Sequence, residues 1–106
     1  MGRDAVRGHL DLLLMAVLRS GPQHGYSIVN SLREQSGGMF DLAEGTVYPA
    51  LHRLERSGWV RSRWTTVDQR RRRVYQLTAT GAACLADERS RWQRFAGAVQ
   101  AVLAMP

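Results

Sequence analysis

The apolar positions of this chain follow two periods, 3.6 and 2, and their order outlines a fold. Over residues 8–19, Leu10, Leu13, Leu14, Val17 and Leu18 recur at helical spacing, and Leu12 and Met15 widen the stripe until it is apolar almost all round. Such a helix sits at the centre of a core or is shared with a second chain. "SGPQHG" breaks it through Gly21, Pro22 and Gly25. A second amphipathic helix is expected over 25–35, with Tyr26, Val29 and Leu32 on one side, Ile28 adjoining, and "SGG" as its stop. A third should begin near Thr46, because Pro49 is tolerated only close to a first turn. The acids Asp41 and Glu44 suit that start, Val47, Leu51 and Leu54 form the buried stripe, and Gly58 stops the helix. Its outer side then carries Thr46, Tyr48, His52, Arg53 and Arg56.

The period changes after Gly58. Residues 59–65 and 73–78 alternate and are rich in β-branched and aromatic side chains, so they read as two strands joined by "TVDQRRR". Val60, Ser62 and Trp64 face one way and Trp59, Arg61 and Arg63 the other; Val74 and Gln76 oppose Tyr75 and Leu77. An isolated hairpin is barely stable and must pack on the helices. A last helix is expected from Gly81 to about Met105, with Thr78 or Thr80 as N-cap. Leu85, Trp92, Phe95, Val99 and Leu103 make a narrow seam along it, a packing face with no obvious partner left in so short a chain. The order helix, helix, helix, strand, strand is that of an α+β fold, a mostly α winged helix-turn-helix. It carries a two-stranded β-wing and a C-terminal dimerisation helix.

Charge adds a function to this outline. The net charge is +6, and between Arg53 and Arg73 eight arginines stand against two acids, a surplus equal to that of the whole chain. A basic patch confined to one segment is the footprint of a nucleic-acid binder. An anionic membrane would attract it too, but an apolar insertion face alongside is then expected, and no apolar run approaches the ~20 residues that span a bilayer. The N-terminus lacks a signal-peptide layout, and the single cysteine, Cys84, excludes an internal disulfide; both suit a reducing cytoplasm. All fifteen basic side chains other than histidine are arginine. Arginine suits phosphate and guanine contacts, and a GC-rich genome also encodes it.

"GHLDLLLMAVL", "HGYSIVNSL", "FDLAEGTVYPALHRLERSGWV" and "RRRRVYQLTATG" together resemble the PadR family of bacterial transcriptional regulators. The likeness covers nearly the whole chain, and its short C-terminal helix resembles the small subfamily. It implies a homodimer in which the last helix packs on the first and last helices of the other subunit. It also implies a pseudo-palindromic operator on double-stranded DNA, usually repressed, and release by a small molecule or other signal, with no required cofactor. The wing tip departs from the pattern: it lacks the glycine many relatives have, and its charge run is denser.

On this reading residues 1–79 form the DNA-binding domain and residues 80–106 the dimerisation helix packed on it. The expected DNA contacts are Tyr26, Thr46, Tyr48, His52, Arg53, Arg70 and Arg72. Strand alternation keeps the four arginines from pointing one way, and Arg70 and Arg72 are assigned to phosphates or the minor groove. Core packing is the competing reading for Tyr26 and Tyr48. Leu10, Leu14, Leu85, Trp92, Phe95 and Val99 are assigned to the dimer interface or a ligand. Trp92 and Phe95 either seal the seam or line a cleft for a small hydrophobic molecule. His9, Asp11 and His24 are weak candidates for an effector metal, since two apart is a poor same-face spacing on a helix. Acids at Asp87 and Glu88 disfavour a reactive Cys84 thiolate. The alternatives are a metal-responsive regulator of this fold and a winged-helix module that binds protein. An enzyme is disfavoured by the lack of any nucleophile–base pair, phosphate-cradling loop or metal cluster.

Overall fold

A computed structural model describes the backbone of residues 2–106 and the side chains of residues 9–106. In chain order the described elements are α1 (Gly2–Leu18), β1 (Gln23–His24), α2 (Gly25–Gln35), α3 (Glu44–Arg56), β2 (Val60–Val67), β3 (Arg70–Leu77) and α4 (Ala79–Leu103). The order is that of a winged helix-turn-helix, as expected. α1 begins well before Gly8, because residues 2–8 are compatible with a helix but carry no apolar stripe to announce it.

The short strand β1 has no signature in the sequence, since two residues cannot show alternation. It pairs antiparallel with β3, Gln23 opposite Tyr75 and His24 opposite Val74, giving the order β1-β3-β2. The wing is therefore two strands of a three-stranded sheet. Gln23 also ties α1 to α2: its Nε2 donates to the Val17 carbonyl at 3.1 Å, and its Oε1 accepts from Ser27 and Ser31. α2 spans the expected residues, but its buried stripe is Ile28, Val29 and Leu32, and Tyr26 is 53% exposed. Gly25 and Ile28 of the same turn are buried, so Tyr26 is exposed by its angle, about 100° round the helix from Gly25 and away from that stripe.

α3 starts two residues before Thr46. The Ala43 carbonyl accepts from the N–H groups of Thr46 and Val47, so Pro49 falls in the second turn and has no N–H for the Gly45 carbonyl. The hairpin differs most. The expected seven-residue loop is a two-residue turn, Asp68 and Gln69, both at positive φ (51° and 66°), with Val67 opposite Arg70. That is the geometry of the tight hairpin turns whose twist matches the strands; Asp tolerates it, and Gln adopts it without glycine's freedom. All four wing arginines therefore lie within β3, paired with residues 64–67.

The core gathers where α1, α2 and α3 meet the base of the sheet. Leu14, Ile28, Val47, Leu51 and Leu54 are fully buried there, and Tyr75 and Val60 close it from the sheet side. Leu10, Leu14 and Leu85, assigned to a dimer or ligand contact, are instead buried inside the single chain at 7%, 0% and 4% exposure. The apolar breadth of α1 is consumed by its own neighbours.

α4 is buried only near its start. Thr78 is its N-cap: Oγ1 accepts from the Gly81 N–H at 3.0 Å and donates to the Gly58 carbonyl at 2.7 Å. A Cβ at Gly81 would meet the Trp59 carbonyl oxygen at 2.0 Å, so glycine is what lets helix and strand touch. Beyond Leu85 the helix is mostly exposed, although Trp92 still meets His9 of α1, and the molecule measures 57 × 28 × 20 Å.

Candidate nucleic-acid interface

With Val47, Ala50, Leu51 and Leu54 buried, the outer surface of α3 divides into two flanks at 100° per residue. Tyr48, His52 and Glu55 lie on the side of the wing. Thr46 and Arg53 lie on the side of α1.

The wing-side flank is bound to the sheet by a small polar network. Ser62 Oγ donates to Glu55 Oε2 at 2.6 Å and accepts from Arg73 Nε at 2.8 Å, and an Arg73 terminal nitrogen lies 3.6 Å from Glu55 Oε1. Ser62, Trp64, Arg73 and Tyr75 share one sheet face because cross-strand partners project to the same side. The network sets the distance of the wing from the helix. Between them lies a cleft of about 430 Å³, lined by His24, Tyr48 and His52 on the helical side and by Trp64, Arg71, Arg72 and Arg73 on the wing.

Each side chain there has a local reason for its position. His24 is the N-cap of α2, where its Nδ1 accepts from the Ser27 N–H at 3.3 Å. Burial, with Arg72 adding to it and Asp68 opposing, holds its pKa below the ordinary 6.5, so the neutral, accepting form is favoured. Tyr48 is half-buried, and its ring presses on Gly25 so closely that a Cβ there would sit 2.4 Å from the hydroxyl oxygen. Burial first, then Glu44, raises its pKa, and the hydroxyl stays a donor. Trp64 is 56% exposed, with the Arg71 and Arg73 guanidinium carbons 5.7 and 5.8 Å from its ring. Arg72 is partly buried, and its Nε has no hydrogen-bond partner among the described residues.

The expected DNA set is thus only partly assembled. Tyr48, His52 and Arg72 meet in this cleft, and the core reading of Tyr48 is met as well, since its ring packs while its edge lines the cleft. Arg70 stands exposed beside the wing turn, Thr46 is exposed on the other flank, and Tyr26 is exposed on α2. Arg53 turns away: its guanidinium pairs with Asp11 of α1 at 2.5 Å. Trp64, Arg71, Arg73 and His24 were not assigned to this interface. A turn set at Asp68 and Gln69 would have found the first three by pairing Trp64 with Arg73 and Thr66 with Arg71.

A second cleft, about 480 Å³, separates α1 from α4. His9 and Trp92 meet edge to face at 4.8 Å, and Phe95 lies 6.0 Å from Trp92. Asp11 and Glu88 add acids, and the half-buried Cys84 borders it. Burial pushes the Cys84 thiol up, with Glu88 and Asp87 adding to the shift, the direction expected from its neighbours. The metal candidates are split: His9 and Asp11 line this cleft and His24 the other. No group of three metal-ligating side chains forms among the described residues, and no described helix is long and apolar enough to cross a membrane.

A helix-turn-helix with its outward helix beside an arginine-lined wing defines a winged-helix regulator. The chain belongs to the PadR-like family of transcriptional regulators, whose model matches residues 14–87. A transcriptional regulator of Mycobacterium tuberculosis is 40% identical over 87 residues, 82% of this chain and 78% of the relative. The structure of a transcriptional regulator from Clostridium thermocellum superposes with a TM-score of 0.84 at 25% identity, covering 94% of this chain and 95% of that one. Bacillus subtilis PadR in complex with operator DNA matches with a TM-score of 0.66 at 28% identity, over 74% of this chain and 45% of that longer one. The family regulates transcription and does not catalyse a reaction.

Proposed function

We propose that this chain acts as a homodimer on a pseudo-palindromic operator in double-stranded DNA and represses transcription in the cytoplasm until an effector releases it. The observation that carries the reading is the arginine-lined cleft where the wing meets the outer face of α3. An exposed, polar helix face beside arginines that outnumber the acids around them suits a polyanion. The operator complex of the Bacillus subtilis relative supports the same assignment. Tyr48, His52 and Arg72 act at the centre of the interface, with Thr46, Tyr26 and Arg70 at its edges.

Residues 1–79 serve as the DNA-binding part and residues 80–106 as the dimerisation helix. Trp92, Phe95 and Val99 lie exposed along α4, an apolar face that a second copy of the helix would cover. Two-fold pairing through it gives the operator its symmetry. The effector is a small hydrophobic molecule received beside Trp92 and Phe95. No cofactor is required. A metal effector has no support from the positions of His9, Asp11 and His24.

The test is a fluorescence-anisotropy titration against the DNA upstream of the protein's own gene, with random DNA as control, across salt concentrations. Tight binding to the first, weaker binding to the second and a slope near 0.9 per neutralised phosphate are expected. Absence of binding to either DNA at low salt would sink the reading in favour of a protein-binding module.

A further inference from the structure

We propose that the outer edge of β2 is a docking site for an extended acidic polypeptide, which adds to the sheet as a fourth strand. The occupant alternates acidic and apolar side chains.

β2 lies at one side of the order β1-β3-β2 and pairs only with β3. The two-residue turn fixes which of its backbone groups are engaged. In such a hairpin the residues flanking the turn, Val67 and Arg70, exchange both hydrogen bonds, and every second residue back along the strand does the same with its partner. Thr65, Arg63 and Arg61 therefore bond to β3, and the N–H and C=O groups of Ser62, Trp64 and Thr66 point away from the sheet. No backbone hydrogen bond joins those three to another part of the described chain. Such a row of donors and acceptors is a template for an added strand. A phosphate backbone offers acceptors alone and would leave the carbonyls unmet.

The side chains at this edge specify the occupant. On the sheet face opposite that of Ser62 and Tyr75, Arg61 and Arg63 are exposed, and neither pairs with an acid among the described residues. Beside them lies a hollow of about 150 Å³ bordered by Val74 and Gln76. Residues of an added strand that stand opposite Arg61 and Arg63 project to that same face, two positions apart, and carboxylates there complete cross-strand ion pairs. The residues between them project to the other face, where Trp64 is 56% exposed and offers an apolar wall. A second copy of β2 does not fit: the strand holds two arginines and no acid, so pairing it with itself brings like charges together.

The experiment titrates the 15N-labelled full chain with a synthetic peptide of about eight residues, as long as β2, alternating glutamate and valine. Saturable binding below about 1 mM is expected, with amide hydrogen exchange slowed at Ser62, Trp64 and Thr66. A peptide of the same composition, its glutamates and valines in two blocks, should bind about five-fold more weakly. Arg61→Glu combined with Arg63→Glu should weaken the alternating peptide about ten-fold. Thr66→Pro removes one outward N–H and no ladder bond; it should weaken the peptide about five-fold. Thermal melts of the variants separate unfolding from loss of the site, and the charge reversal decides alone if Thr66→Pro unfolds. No saturation by about 1 mM, equal affinity for the two peptides, or binding without slowed exchange at the three amides overturns the proposal. A random-sequence duplex that displaces the peptide, and is itself weakened about ten-fold by the charge reversal, assigns the face to DNA and overturns it as well.

Discussion

α3 and α4 obey the same amphipathic rule and meet opposite fates. Every large apolar side chain that α3 directs inward, Val47, Leu51 and Leu54, is buried by α1, α2 and the sheet, and its outer surface is polar. α4 buries Gly81 and Leu85, touches α1 again where Trp92 meets His9, and leaves Phe95 61% and Leu103 78% exposed. The difference teaches what each helix has left to bind. α3 has spent its apolar face and offers hydrogen-bond donors and charge, so its partner is polar. α4 has an unspent apolar seam, which suits an apolar partner, and the partner proposed for it is another α4.

The comparison can be broken from either side. Leu51→Ala removes a fully buried side chain and should cost about 2–5 kcal/mol in denaturant unfolding. A loss below about 1 kcal/mol would mean that the inner face of α3 is not the core. Phe95→Glu should do the reverse: sedimentation shifts from dimer to monomer while far-UV circular dichroism stays unchanged. A dimer that survives it breaks the assignment of the seam.

The outer flank of α3 sharpens the comparison, because part of it is already occupied within the chain. Asp11→Asn releases Arg53 and should raise duplex affinity two- to three-fold, roughly what an exposed ion pair can be worth. In an Arg53→Gln background the same change should do little more than remove one acid; equal effects in both would show that the pair does not restrain Arg53. The smallest effect is on pH. Burial, reinforced by Arg72, holds His24 below its ordinary 6.5, so the unfolded chain takes up the proton first as pH falls. Its contribution to stability is complete above pH 6.5 and is lost below it. The thermal midpoint should fall between pH 7.5 and 5.5 from this source. His24→Asn, which keeps an N-cap, should remove that part of the slope.

The helices were legible because their signals are local. Leu10 to Leu18, Ile28 to Leu32 and Val47 to Leu54 each repeat at 3.6 residues, and Thr78 announces α4. Tyr26 had two readings, core packing and DNA contact, and its 53% exposure leaves it free for the second. The wing was misread because arginine carries no strand signal, so "RRRR" looked like a loop although its backbone pairs residue by residue with β2. Of the interface, Tyr48, His52 and Arg72 were legible as outward or basic positions. Trp64 and His24 were not, since their place depends on register and on a two-residue strand.

By itself the sequence determined the order of elements, the excess of arginine between Arg53 and Arg73, and the apolar seam of the last helix. These follow from periodicity and composition, which each segment carries alone. Tertiary structure decided which residues meet. It buried Leu10, Leu14 and Leu85 within one chain, turned Arg53 back onto Asp11, and gathered His24, Tyr48, Trp64 and Arg72 around one cleft. Those outcomes depend on strand register and on the close approaches at Gly25 and Gly81, where the missing Cβ lets two segments touch. Such contacts join residues tens of positions apart, and no local pattern records them.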